Sequence, residues 1–245
     1  MAHLDLPMAM KIAGSILLLL ACTPLAADEC VVLLHGLFRT DNSMNRMAEI
    51  LAESSYRVQN VAYESTEQPV YVLAEQAVEE GLEACGDAQK IHFVTHSMGG
   101  ILVRVYLEDH DIERMGRVVM LGPPNQGSEV IDRYADWPGF EWFSGPAGLQ
   151  LGTGEASVPR ALGPADFDLG IIAGNRTLNP ILSQTLPGKD DGKVSVEATR
   201  MEGMDDHLEM PVNHVFMMRD KDVIDQVLHY LEKGSFRRAQ GSETP

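Results

Sequence analysis

The chain has 245 residues, 44% of them hydrophobic, with a net charge of −17 and a pI near 4.7. That is enough material for one sizeable core and one α/β domain. So acidic a chain excludes nucleic acid as a partner and excludes electrostatic docking to anionic membranes.

Residues 1–27 have the layout of a secretory signal peptide. Lys11 precedes the apolar run Ile12–Ala21, and small residues follow up to Ala27. The run is too short to span a bilayer comfortably. The expected location is secreted or periplasmic. A second reading takes Leu19-Leu20-Ala21-Cys22 as a lipoprotein box, with the chain anchored through Cys22. Cleavage near Ala27 leaves two cysteines, Cys30 and Cys85. In an oxidising compartment they can pair as one disulfide; two buried free thiols is the alternative. No zinc-ligand spacing is present.

The mature domain, from residue 28, alternates strand and helix signals. Val31–Leu34 reads as a fully apolar strand running into the turn His35-Gly36-Leu37-Phe38. A helix from Asp41 or Asn42 to about Ser54 follows, then a strand over Tyr56–Tyr63 and a helix from Pro69 to about Ala84. Ile91–Thr95 is the next apolar strand. It leads through His96-Ser97-Met98-Gly99-Gly100 into a helix carrying Ile101, Leu102, Val105 and Tyr106. Arg117–Leu121 and Leu169–Ala173 are further buried strands. His207–Val212 is the last strand, and Asp222–Lys233 is a closing amphipathic helix. Such alternation implies a mostly parallel sheet with helices on both faces, and ligands at the carboxyl ends of its strands.

Two stretches break the pattern. Residues 125–166 hold Trp137, Phe140, Trp142 and Phe143 among glycines and prolines, and read as a small cap insertion over the site. Residues 234–245 are polar and read as a loose tail.

Ser97 stands at a tight strand-to-helix turn. The turn requires a positive φ at the serine, and a side chain at position 99 would crowd the neighbouring strand. A neutral serine needs a base within hydrogen-bond reach and an acid to orient that base. His214 follows the last strand and suits the base. His207 opens that strand and belongs at the opposite end of the sheet. His229 lies mid-helix, His96 is expected to point away from the attack face, and His35 is expected to support the turn without moving protons. Asp190 and Asp191 precede Gly192, and the Asp-Gly step favours Asp191 as the acid. The amides of Leu37 and Met98 are the expected oxyanion donors. Phe38, Trp137 and Trp142 are the expected substrate-binding residues.

Five segments together resemble the α/β-hydrolase-fold serine lipases and esterases, in particular the small secreted class-2-lipase-like branch from bacteria. They are Val32 to Leu37, Thr95 to Gly100, Pro124 to Ser128, Asp191 to Glu197 and Pro211 to His214. Thr95 departs from the family pattern, which has glycine there. The resemblance implies the α/β-hydrolase fold, Ser97 as nucleophile, Asp191 as acid, His214 as base, and oxyanion donors at Leu37 and Met98. It implies a carboxylic-ester hydrolase acting on small-molecule or lipid esters and needing no cofactor; no calcium or other metal site is recognisable in the sequence. Transient contact with a lipid surface and a monomeric state are also expected. Thioester, amide or phospholipid hydrolysis by the same residues is the alternative, as is a catalytically silent scaffold that binds a lipid or a protein.

Overall fold

The computed structural model describes residues 29–178 and 180–238. The signal-peptide and Cys22 readings lie outside the described residues. The elements run β1 (Glu29–Leu34), α1 (Asn45–Glu53), β2 (Arg57–Asn60), α2 (Val70–Cys85), β3 (Lys90–His96), α3 (Met98–Asp109) and β4 (Met115–Leu121). They continue with α4 (Glu129–Ala135), α5 (Phe140–Leu149), α6 (Val158–Ala161), β5 (Leu169–Gly174), α7 (Pro180–Ser183), β6 (Asp206–Met210) and α8 (Lys221–Lys233). The six strands form one sheet in the order β2-β1-β3-β4-β5-β6, and every pairing is parallel. Parallel neighbours require crossovers, which the helices supply. This is an α/β-hydrolase fold.

The apolar strands are buried on both faces. Along β1, Val32 and Leu34 join one core with Phe93, Ile101 and the apolar side of α2. Val31 and Leu33 face the other core with Met47 and Leu51 of α1 and Val223, Val227 and Tyr230 of α8. A period of two along each strand therefore feeds two separate helical layers.

Some boundaries differ from the sequence expectation. The strand expected over Tyr56–Tyr63 is only Arg57–Asn60, because β2 is an edge strand that pairs with β1 alone. The last strand ends at Met210, so residues 211–213 form the loop before His214. The irregular stretch 125–166 contains α4, α5 and α6. Each is short, and α5 turns at Gly145, whose φ is 64° and which precedes Pro146. Such helices depend on tertiary contacts more than on periodicity. A Cβ at Gly145 would lie 1.6 Å from the Thr66 carbonyl oxygen, so this bend seats against the chain just before α2. The tail expected to be loose is docked as far as Arg238. Phe236 is buried against Tyr230, and Arg238 pairs with Asp206; residues 239–245 lie outside the described residues.

Cys30 and Cys85 form a disulfide with a Cα–Cα distance of 5.8 Å, tying the start of β1 to the last residue of α2. Arg104 is a second internal tie. Its guanidinium is buried and donates to Asn125 Oδ1 at 3.0 Å and to the Leu162 and Gly163 carbonyls, both at 3.3 Å. It thereby fastens both ends of the segment that holds α4, α5 and α6.

Several histidines are held neutral by burial, and this makes the fold acid-sensitive. Burial, followed by the charge of Arg200, pushes the His207 pKa down to about 4. Its Nε2 pairs with Thr199 Oγ1 at 2.8 Å. His35 and His92 are lowered by burial as well. A histidine whose folded pKa is depressed contributes stability that is complete above its unfolded value near 6.5. That contribution is lost as pH falls from there towards 4. We therefore expect the melting temperature to drop on acidification across this window, and His207→Gln to flatten part of the drop. Circular dichroism melts at a series of pH values check this; identical slopes in the two proteins would rule out His207 as a source.

Candidate active site

The carboxyl ends of β1, β3, β4 and β5 converge on one place, where the apolar strands give way to turns. The turn after β3 carries Ser97 at φ 52° and ψ −120°, with its amide donating to the Leu121 carbonyl at 2.9 Å. The sterically demanding φ is what the sequence required at this residue. Gly99 is equally constrained: a Cβ there would lie 2.5 Å from the Leu34 carbonyl oxygen and 2.9 Å from that of His35. Thr95 is fully buried. Its hydroxyl faces Gly100, where a Cβ would lie only 3.2 Å away and 3.0 Å from Met120 Sδ. The absence of a side chain at position 100 gives Thr95 its room.

His214 and Asp191 complete a hydrogen-bonded chain with Ser97. His214 Nδ1 lies 2.7 Å from Asp191 Oδ2, and His214 Nε2 lies 3.0 Å from Ser97 Oγ. A carboxylate only accepts, so Nδ1 carries the proton and Nε2 presents its lone pair to the serine hydroxyl. Asp191 is itself fixed. Its Oδ1 accepts from the amides of Lys193 (3.0 Å) and Val194 (2.9 Å), and its carbonyl accepts from the His214 amide at 2.9 Å. Two strand-end glycines make room for the pair. A Cβ on Gly122 would sit 3.0 Å from Asp191 Oδ2, and one on Gly174 would sit 2.8 Å from Asp191 Cβ.

Asp190 does not reach His214. It accepts from the Ser183 hydroxyl and from the Gly192 amide, bracing the same loop. His96 was expected to point away, yet its Nε2 donates to the His214 carbonyl at 2.9 Å and its ring lies 4.7 Å from the His214 ring. Burial first, and then the proximity of His214, hold His96 neutral. Its Nδ1 is buried without a hydrogen-bond partner. It is a support beneath the base.

The His35–Phe38 turn closes over the serine. A Cβ on Gly36 would lie 3.0 Å from Ser97 Cβ. The His35 ring stacks on Tyr63 at 3.9 Å, and the Tyr63 hydroxyl donates to the His35 carbonyl. The Phe38 amide donates to Ser65 Oγ at 3.2 Å, and Phe38 has a φ of 60°. Neither Tyr63 nor Ser65 announces itself in the sequence, because a lone tyrosine and a loop serine are common everywhere. Met98 opens α3, and a helix leaves its first amides without intrahelical partners, free to face an anion.

A partly open cavity beside Ser97 and His214 is lined by Leu37, Phe38, Pro124, Val130, Ile131 and Phe140, and by Arg39 and Lys193. Phe38 is where the sequence placed it. Trp137 and Trp142 are not: they are 62% and 90% exposed and line no part of the cavity. Phe140 lines it instead, and Phe143 stacks on Phe38 at 4.6 Å. Phe140 and Trp142 are two residues apart and so face opposite sides of the helix, and periodicity over α5 is too brief to say which faces inward. Among the described residues no group of His, Cys, Asp and Glu side chains could hold a metal ion, and no helix is long and apolar enough to cross a membrane.

Sheet, elbow and hydrogen-bonded chain together define a hydrolase of the α/β-hydrolase class. Residues 30–156, just over half of the chain, match the family described as palmitoyl protein thioesterase, and the protein belongs to that family. Solved structures of the same fold include the mature lipase BlEst2 of Bacillus licheniformis, at 20% identity and a TM-score of 0.65, covering 85% of this chain and 93% of that one. The phospholipase PlaB of Legionella pneumophila is 17% identical with a TM-score of 0.67; 86% of this chain covers 60% of that longer one. A metagenomic carboxyl esterase is 18% identical with a TM-score of 0.66, covering 84% and 76%. At these identities the likeness is one of fold. No curated protein matches the sequence.

Proposed function

We propose that the protein is a serine carboxylic-ester hydrolase acting on apolar acyl esters. The observation that carries this reading is the chain from Asp191 through His214 to Ser97, opening onto an apolar cavity. Ser97 attacks the acyl carbon while His214 Nε2 takes its proton. The tetrahedral oxyanion is met by the amides of Leu37 and Met98, each worth about 3 kcal/mol in the transition state. His214 then protonates the leaving oxygen, and water, deprotonated in turn by His214, releases the acid from the acyl-enzyme. No step calls for a cofactor.

Thioester hydrolysis is the second reading, favoured by the family match. The chemistry differs only in the leaving atom. The substrate is a small-molecule or lipid ester in the first case and the corresponding thioester in the second. The exposed Trp137, Trp142 and Phe143 support transient contact with a lipid surface by a monomer. The Cys30–Cys85 bond supports a secreted or periplasmic location, with lipid anchoring through Cys22 as the alternative.

The cavity measures about 100 Å³, below the ~300 Å³ at which ligand pockets commonly begin. Short acyl chains are therefore expected to react faster than a palmitoyl chain, which needs α4 and α5 to move outward. The test is hydrolysis of p-nitrophenyl esters from acetyl to palmitoyl, beside acyl thioesters of the same lengths, with fluorophosphonate labelling of Ser97. A folded protein inert to every ester, every thioester and the label would sink the reading and leave the binding scaffold.

Asp191→Asn is expected to lower kcat by about 10⁴-fold, because the amide no longer enforces the Nδ1–H tautomer. Asp190→Asn is expected to change kcat by less than about tenfold, since it braces the loop without touching the base. Steady-state kinetics of the two variants compare them directly; equal losses would overturn the assignment of the acid.

A further inference from the structure

The lining of the cavity beside Ser97 is chemically mixed. Pro124, Val130, Ile131, Phe140 and Leu151 are apolar, while Arg39 and Lys193 bring two cations to the same space. The chain carries 36 acidic residues against 19 lysines and arginines, so carboxylate partners are plentiful. Among the described residues neither cation forms an ion pair with any of them. Arg39 Nη2 makes one long contact, 3.4 Å to the Val215 carbonyl. Lys193 Nζ lies 5.9 Å above the centre of the Phe38 ring. Both residues are half-buried. Burial holds Lys193 below its ordinary range, and the charge of Arg39 adds to the effect; Arg39 is lowered by burial and then by Arg219. Asp191 attracts Lys193, but its carboxylate oxygens already accept from the His214 ring and from two amides. Unpaired charge drawn out of water is unfavourable until an anion arrives.

We propose that Arg39 and Lys193 bind an anionic group, a phosphate or a carboxylate, carried by the leaving-group half of the substrate. This deepens the ester-hydrolase reading and rests on it. Arg39 touches the carbonyl of the residue after His214, and Lys193 lies two residues after Asp191. The cations thus flank the base that hands a proton to the leaving oxygen. The apolar side chains of the lining take the acyl chain. The preferred substrate is an amphiphile with an apolar acid and a negatively charged alcohol or thiol.

Three esters with one acyl chain test this: neutral monooctanoylglycerol, octanoylglycerol 3-phosphate and octanoyl glycolate. Wild type is expected to prefer an anionic ester over the neutral one by about tenfold or more in kcat/KM, carried mainly by KM and weakened by salt. The anion with the larger preference names the group. The ratio of anionic to neutral kcat/KM is expected to fall towards one in the double variant Arg39→Gln/Lys193→Gln, and to survive in Arg39→Lys and Lys193→Arg. No preference in wild type, or a preference undiminished in the double variant, overturns the proposal. Titrating octanoylglycerol 3-phosphate and monooctanoylglycerol into Ser97→Ala separates the two claims. About tenfold tighter binding of the phosphate ester in a protein whose wild type hydrolyses nothing would leave the anion site standing and the hydrolase reading fallen. Hydrolysis without any charge preference would do the reverse.

Discussion

Replacing Ser97 with alanine is expected to lower kcat by about 10⁶-fold, and replacing His214 as well is expected to cost almost nothing further. The two side chains share one proton along a 3.0 Å contact, so removing either disables the transfer for both. The amides of Leu37 and Met98 remain in every variant, and they sustain a residual rate over water of about 10³-fold. The check is a set of matched kinetics on Ser97→Ala, His214→Ala and the double variant. Activity above about 1% of wild type in Ser97→Ala would mean another nucleophile. A double variant far below either single would mean that the two act independently. Stability gives a second readout. Ser97 holds a φ of 52° that costs a non-glycine residue about 1 kcal/mol or more. Ser97→Gly is therefore expected to melt above Ser97→Ala, although both are inactive.

Removing the Cys30–Cys85 bond is expected to lower stability by about 4 kcal/mol, from the entropy of freeing a loop that spans 55 residues. For a domain of this size that is roughly 10 °C in Tm. Both cysteines are fully buried, so Cys30→Ala/Cys85→Ala isolates the bond from the chemistry of new polar groups. The bond sits at the amino end of the sheet, where Cys30 pairs with Ile91; Ser97 lies past the other end, where Leu34 pairs with Thr95. The kcat of the variant below its melting point should accordingly match wild type. Far-ultraviolet dichroism is the suitable probe, because both tryptophans already face solvent and report poorly on the core. A loss under about 1 kcal/mol would mean that the unfolded chain is compact without the bond.

Much of this geometry was legible in the residues. Ile91–Thr95 reads as a strand buried on both faces, and Ser97 with Gly99 and Gly100 just after it reads as a constrained turn into α3. His214 followed from its place after the last strand, and Asp191 from the Asp-Gly step that aims its carboxylate. What was not legible depends on which way a side chain faces. Trp137 and Trp142 signal apolar surface, but Trp137 lies between α4 and α5, and α5 is too short for periodicity to orient Trp142; Phe140 is the residue that turns inward. Nothing in the sequence singles out Arg39 and Lys193, because only the fold brings residues 39 and 193 to one cavity. His96 looked idle because its partner is a main-chain carbonyl 118 residues away, which no local pattern encodes.

The strand order carries a consequence for how the protein comes into being. β1 is made first but lies inside the sheet, where it must wait for β3, while β6 is made last and pairs only with β5 at an edge. Such non-local pairing slows folding. His214, the base of the proposed mechanism, follows β6, so a growing or half-folded chain holds Ser97 without its hydrogen-bond partner. Hydrolytic activity would then appear only when the last edge of the sheet has closed, making it a more stringent reporter of complete folding than either secondary structure or the formation of the disulfide.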